Sequence, residues 1–249
     1  MDKIVNDFFD KNSTIKHNKD ILPPPPYFLS NNSESCIKKS FYWLRHESRC
    51  KSLLLGNSSN LIDIKPEIKK VVPLAIPHRE HPGWRSLTIY GYSSIMTNSY
   101  EHYKEEKIIT DKDETDWTDI CNLLPHTVSW LKNMSPLEQF SRIRIMVLDP
   151  GFSSTPHRDY YDGQALCGPI NIAVINPKGS EFVLEDGGLV PWQEGEIRSM
   201  DLGSYHCIRN SGTEPRVHII ITPSKQDWDL KAMTHACRKY MEYYESGRN

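Results

Sequence analysis

The peptide Thr155-Pro156-His157-Arg158-Asp159 sets two potential metal ligands on either side of one arginine. On a strand alternate side chains share a face, so His157 and Asp159 point the same way and suit a single ion. A second histidine, His206, ends the segment Asp201-Leu202-Gly203-Ser204-Tyr205-His206, where a strand end meets a turn glycine. Two imidazoles and one carboxylate on one triangular face of an octahedron form the arrangement used for non-haem Fe(II). Three positions then stay open for substrate or oxygen. An HxD on its own recurs by chance in many chains, so the weight falls on what surrounds it.

Arg216 stands ten residues beyond His206, at the start of Arg216-Val217-His218-Ile219-Ile220-Ile221-Thr222. Period two puts Arg216, His218 and Ile220 on one face and Val217, Ile219 and Ile221 on the other. A guanidinium pointing into a barrel needs an anion, and a planar carboxylate accepts its fork bidentately. The C5 carboxylate of 2-oxoglutarate is such an anion; an internal Asp or Glu is the structural alternative. His218 reads either as a contact to that cosubstrate or as a core histidine with a satisfied hydrogen bond. Asn210 and Ser204 read as groups orienting His206 or as turn formers. Cys207 points away from the ligand face and reads as a small buried hydrophobe.

The elements that must carry these residues are mostly short strands. Trp84 to Tyr90 alternates bulky apolar and polar residues, and Arg142 to Leu148 is a strand ended by Asp149-Pro150-Gly151. Further strands are expected over Pro169 to Asn176, Glu181 to Glu185, Glu194 to Asp201 and Arg216 to Thr222. Strands at turn-punctuated intervals behind a helical N-terminal region predict a mainly β fold with flanking helices, a jelly roll braced by helices. Helices are expected from Leu124 to Asn133, at Ser135-Pro136-Leu137-Glu138, around Phe41, Trp43 and Leu44, and after Ser224, where Met233, Cys237, Tyr240 and Met241 share a face. Pro23 to Pro26 must run extended, as a surface strap.

His157-Arg158-Asp159, then Trp192-Gln193-Glu194-Gly195-Glu196, His206, Asn210 and Arg216-Val217 resemble the Fe(II)/2-oxoglutarate-dependent oxygenases of the aspartyl/asparaginyl β-hydroxylase type, which include the proline cis-hydroxylases. The resemblance spans about Leu124 to Thr222. It implies a cupin-like double-stranded β-helix, iron held by His157, Asp159 and His206, 2-oxoglutarate anchored on Arg216, and O₂ as oxidant. The β-hydroxylases proper lack the ligand carboxylate, so Asp159 places the chain nearer the proline hydroxylase branch and speaks against a halogenase. The strand after the HxD often carries an Arg and a His in this family. Here it reads Asn171-Ile172-Ala173-Val174-Ile175-Asn176, which leaves Asn171 and His218 as candidates beside Arg216 for the cosubstrate.

The expected reaction is hydroxylation of an unactivated C–H of a small amino acid or of a peptide or protein side chain, with release of succinate and CO₂. Trp84, Arg85, Arg144 and Tyr160 are candidates for the barrel mouth, where arginines would suit an acidic substrate. A metal-binding jelly roll without oxygenase activity, an isomerase or a sensor, explains the triad but leaves Arg216 unemployed.

The 249 residues divide into an N-terminal helical and bracing region with the first sheet strands (1–135), the β-helix core (136–224) and a C-terminal helix (225–249), in one domain overall. With 30 Lys+Arg against 32 Asp+Glu the net charge is −2, which argues against gripping nucleic acid. No apolar stretch approaches the length of a membrane span, and the N-terminus lacks a signal-peptide core. Six cysteines without a CxxC spacing suit reduced thiols in a cytoplasm. The oligomeric state is not legible.

Overall fold

A computed structural model describes residues 3–58, 61–78, 81–97, 100–110, 114–135, 137, 139–159, 168–223 and 228–246. In chain order the helices are α1 (Lys3–Asn12), α2 (Glu34–His46), α3 (Leu61–Val71), α4 (Tyr100–Glu105), α5 (Pro125–Met134) and α6 (Leu230–Ser246). The strands are β1 (Ser52–Asn57), β2 (Ile76–Pro77), β3 (Trp84–Gly91), β4 (Asp116–Trp117), β5 (Phe140–Leu148), β6 (Ile170–Ile175), β7 (Ser180–Leu184), β8 (Gly188–Leu189), β9 (Glu196–Met200), β10 (His206–Asn210) and β11 (Arg216–Pro223).

They form two antiparallel sheets. The large one runs β1-β9-β6-β11-β5-β3-β2, with β4 on β3, and the small one runs β10-β7-β8. The stretch before the HxD extends the small sheet along β10 through bridges at Ser153–Arg209 and His157–His206. Two sheets face to face with helices outside are the double-stranded β-helix.

Strand alternation sorts the side chains into layers. On β11, Val217, Ile219 and Ile221 join Ile143, Ile145 and Val147 of β5 in the main core, under Leu44 of α2, Ile68 of α3, Leu131 of α5 and Tyr240 of α6. Burying such a side chain contributes about 1.5–3 kcal/mol, so this outer face anchors the large sheet and leaves its inner face free for polar work. Between the sheets lies a smaller cluster of Trp84, Leu148, Phe182, Leu184, Met200, Leu202 and Ile208. The outer face of the small sheet buries Val183 and Cys207 against Val5 and Phe9 of α1, so Cys207 is a packed hydrophobe.

The N-terminal segment ties the two sheets along their open side. His17 Nδ1 and the Asn18 amide both donate to Gly187 O in the β7–β8 turn, at 3.1 and 3.4 Å. The Asn18 carboxamide meets the large sheet instead: its Oδ1 accepts from Lys51 N and Ser52 N, and its Nδ2 donates to Ser52 O at 2.7 Å. A side chain on Gly188 (φ +76) would collide with Ile15 O, so that turn must be glycine.

Two local expectations differ. The Thr155–Asp159 stretch is held by bridges rather than by a continuous ladder. The helix expected at Ser135-Pro136-Leu137-Glu138 falls partly outside the described residues; Ser135 itself is extended (φ −56, ψ 134), and its Oγ accepts from Leu137 N at 3.2 Å. The candidate strap over Pro23 to Pro26 gives way at Pro26 to a turn that buries Phe28. No helix of the described residues is long and apolar enough to cross a membrane.

Candidate metal centre

His157 and His206 exchange both backbone hydrogen bonds across their bridge, His157 N to His206 O at 3.0 Å and the reverse at 2.8 Å. That pairing puts the rings side by side, with centroids 4.4 Å apart. Each ring donates from Nδ1 to the carbonyl two residues upstream, His157 to Thr155 O at 2.7 Å and His206 to Ser204 O at 3.1 Å. A carbonyl only accepts, so the proton sits on Nδ1 and the Nε2 lone pair is left for an ion. Phe182 stacks on His206 with centroids 5.5 Å apart and a 7° interplanar angle, fixing that ring from below.

Asp159 is anchored by its backbone N–H to Leu202 O at 2.9 Å, and its Oδ1 lies 3.6 Å from His157 Nε2. One donor atom from each of His157, Asp159 and His206 lies within 4.8 Å of the other two. His206 is 2% exposed, whereas the side chains of His157 and Asp159 are 42% exposed. The group is therefore closed behind His206 and open in front, as a site that admits reactants must be. Burial pushes the His206 pKa down, against a smaller upward pull from Asp159, which favours the neutral, ligating form.

On the opposite wall, Arg216 and His218 are buried side by side on the inner face of β11, and Arg216 Nη2 lies 3.2 Å from His218 Nδ1. A guanidinium only donates, so His218 accepts at Nδ1 and carries its proton on Nε2. Burial, then the neighbouring guanidinium, hold His218 well below the usual histidine range. Burial alone pushes Arg216 down to about 9, still protonated at neutral pH. Trp192 meets His218 edge to face at 4.7 Å. Arg216 Nε, His218 Nε2 and Trp192 Nε1 are all buried donors with no acceptor among the described residues. Leaving such groups unmet costs about 1–3 kcal/mol each, and together these side chains could hold an anion. The internal Asp or Glu considered as the partner of Arg216 does not occur among the described residues, where its hydrogen bond is to His218. A triad with free Nε2 lone pairs and a buried cation awaiting a carboxylate fit iron and 2-oxoglutarate.

The other candidates scatter. Asn171 is buried on β6, opposite Ile220 of β11, with its Nδ2 3.4 Å from Pro169 O. Trp84 lies opposite Leu148, at the Arg216 end of β5, inside the cluster between the sheets. Arg144 shares a face with Met146 and Leu148 and donates from Nη1 to Thr97 O at 2.8 Å. Arg85 is turned to the outside, forking onto Asp149 at 2.7 and 2.9 Å. Tyr160 lies outside the described residues. Asn210 closes the β10–β11 turn, donating to Leu148 O and Glu214 O and accepting from Gly212 N, and makes no bond to His206. Neither Phe182, which stacks on His206, nor Lys51, whose Nζ lies 2.6 Å from Asp201 Oδ2, carries a local sequence signal for its place here. The Asp201-x-Gly-Ser turn marks Asp201 as a loop anchor, but nothing local points to a cation from the far edge of the sheet.

Residues 58–225 match the aspartyl/asparaginyl beta-hydroxylase family. No curated protein matches the chain. Among solved structures, one similar fold is an oxidoreductase of the 2OG-Fe(II) oxygenase family from Burkholderia pseudomallei, at 9% identity over 76% of this chain and 90% of that one, TM-score 0.47. Another is a Pseudomonas putida prolyl-4-hydroxylase, at 12% identity over 70% and 91%, TM-score 0.41. A third is the viral collagen prolyl hydroxylase of Paramecium Bursaria Chlorella virus-1, at 11% over 64% and 89%, TM-score 0.35. With two thirds of its length matched, the chain belongs to the aspartyl/asparaginyl β-hydroxylase family of iron(II)- and 2-oxoglutarate-dependent oxygenases.

Proposed function

We propose that iron(II) is held by His157 Nε2, the Asp159 carboxylate and His206 Nε2, that Arg216 takes the C5 carboxylate of 2-oxoglutarate, and that the enzyme hydroxylates an acidic amino acid or a peptide carrying a carboxylate. The observation that carries the reading is Arg216, a buried cation whose hydrogen-bond partner among the described residues is a neutral histidine. Bound iron(II) supplies the oxidation: 2-oxoglutarate and O₂ become succinate and CO₂, and the second oxygen atom enters the substrate C–H.

The protein's own part is positioning and exclusion. The carbonyls of Thr155 and Ser204 hold both ligand imidazoles in one tautomer and one orientation. Arg216 fixes the far end of the cosubstrate by a charge-assisted pair, with the N–H groups of His218 and Trp192 as further donors. Leu148, Met200, Leu202 and Ile208 line an apolar interior that keeps water from the reacting centre. Support for an acidic substrate comes from Arg144, half-buried on the inner face of β5, which donates from Nη1 to Thr97 O. The metal-binding jelly roll without oxygenase activity is not favoured, since it gives the buried guanidinium nothing to bind.

The test is an untargeted screen of protein, Fe(II), ascorbate and 2-oxoglutarate against pools of amino acids and peptides, read by mass. A gain of one oxygen coupled to succinate is expected for acidic substrates, and both signals are expected to vanish in His206→Ala and Asp159→Ala. Full turnover in His206→Ala would sink the ligand assignment, and products confined to uncharged substrates would sink the substrate class.

A further inference from the structure

The loop between β9 and β10 supplies a backbone carbonyl to two of the three candidate ligands. Leu202 O accepts from Asp159 N at 2.9 Å, and Ser204 O accepts from His206 Nδ1 at 3.1 Å. Its shape is set by Asp201, which is 2% exposed. Asp201 Oδ1 accepts from Gly203 N and Ser204 N, both at 3.1 Å, and Oδ2 accepts from Ser204 Oγ at 2.6 Å. A carboxylate buried so deeply needs a cation. Lys51 provides it, with Nζ 2.6 Å from both Asp201 Oδ2 and Ser204 Oγ, while Asp201 N donates to Lys51 O at 2.8 Å.

Lys51 thus grips the loop at both ends of its turn. Lys51 immediately precedes β1 and lies before the stretch that matches the family, 58–225. Resting on the ligand assignment above, we infer that Lys51 is a positioning residue for the metal centre: by holding Asp201 and Ser204 it sets the two carbonyls that orient His206 and anchor Asp159. Its ammonium is also reachable, because Lys51, Asn18, Cys50 and Asp186 line a cavity of about 200 Å³ above Asp201.

The experiment is a titration of the apo protein with Co(II), read by its visible absorption, in wild type, Lys51→Met, Lys51→Arg and Lys51→Ala. Partners that orient metal ligands typically change affinity 10–100-fold. Lys51→Met is expected to weaken Co(II) binding about tenfold, while the Michaelis constant for 2-oxoglutarate at saturating iron is unchanged. Lys51→Arg is expected to recover most of the loss, as is ethylammonium added to Lys51→Ala through the cavity. A merely structural lysine would lower the melting temperature and leave Co(II) affinity in the folded fraction alone. Should Lys51→Met not fold, Ser204→Ala removes one of the two acceptors without touching the charge, and a two- to fivefold loss is expected. Wild-type Co(II) affinity in every folded variant would overturn the inference while leaving the ligand assignment intact. Failure of wild type to bind Co(II), or undiminished binding in His206→Ala, would overturn the ligand assignment and the inference with it.

Discussion

Arg216 and Arg209 are both cationic and stand on neighbouring β-segments, yet their surroundings assign them opposite tasks. Arg209 looks outward from the small sheet, paired to Glu181 at 2.5 Å and lying over the Phe9 ring. Arg216 looks inward and meets no carboxylate among the described residues. An uncompensated buried charge destabilises the protein that holds it. Arg216→Met is therefore expected to melt at a higher temperature than wild type without cosubstrate. Adding 2-oxoglutarate at 100 times its dissociation constant stabilises wild type by about 2.7 kcal/mol, and that increment is expected to disappear in the variant. Arg216→Lys keeps the charge but not the planar fork, and a more than tenfold rise in the Michaelis constant for 2-oxoglutarate is expected. Arg209→Gln serves as control and is expected to leave cosubstrate saturation untouched. Thermal shift and initial-rate assays decide both points, and a wild-type response to 2-oxoglutarate in Arg216→Met would refute the anchor.

Helix α5 shows how elements are completed by residues distant in sequence. Its cap residue, Leu124, offers no side-chain acceptor. Glu67 of α3 supplies one instead, its Oε1 accepting from His126 N at 2.9 Å and its Oε2 from Thr127 N and Thr127 Oγ1 at 2.8 Å. A buried carboxylate at a helix N-terminus satisfies orphan amides and opposes the helix dipole. Glu67→Ala is expected to cost about 2–3 kcal/mol, measured by urea unfolding, with cosubstrate binding in the folded protein unchanged. The same logic marks what was legible in the sequence. Strands such as Arg142–Leu148 and Arg216–Thr222 announce themselves because one face must be apolar, and period two then orients Arg216 correctly. The helix over 124–133 was legible for the same reason, although its cap was not. Helix α3 carries Pro66 in its interior, which masks its period, and β1 is a short leucine run whose strand nature comes from pairing with β9. His157 and Asp159 were legible as a same-face pair from their spacing, and the folded chain brings a His206 nitrogen within 4.8 Å of both. The clamp from Lys51 was not legible, since it is created only when β1 joins the sheet beside β9.

At the scale of the whole molecule the buried histidines set a pH dependence. Burial pushes His17 and His78 down to about 4, and His218 well below the ordinary value. Unfolding returns them to about 6.5, so between these values the unfolded chain binds more protons than the folded one. Stability is therefore full above pH 6.5 and is lost as pH falls toward 4, at roughly 1.4 kcal/mol per pH unit for each proton taken up. A melting temperature that stays flat from pH 7 to pH 4.5 would contradict this; His17→Gln is expected to make the decline shallower.

His17 and its neighbour Asn18 also bear on where this enzyme's identity resides. The matched stretch begins at residue 58, after β1. Taken by itself, that stretch would present β9 as a bare edge of unpaired N–H and C=O groups, which is the kind of surface that recruits other chains. It would also lose α1 from the small sheet and leave Asp201 as a buried anion without its lysine. The heritable chemistry and the autonomous folding unit thus have different borders here. A graft of the catalytic stretch into another host would have to bring its first 57 residues along, or rebuild by other means the seam that they close.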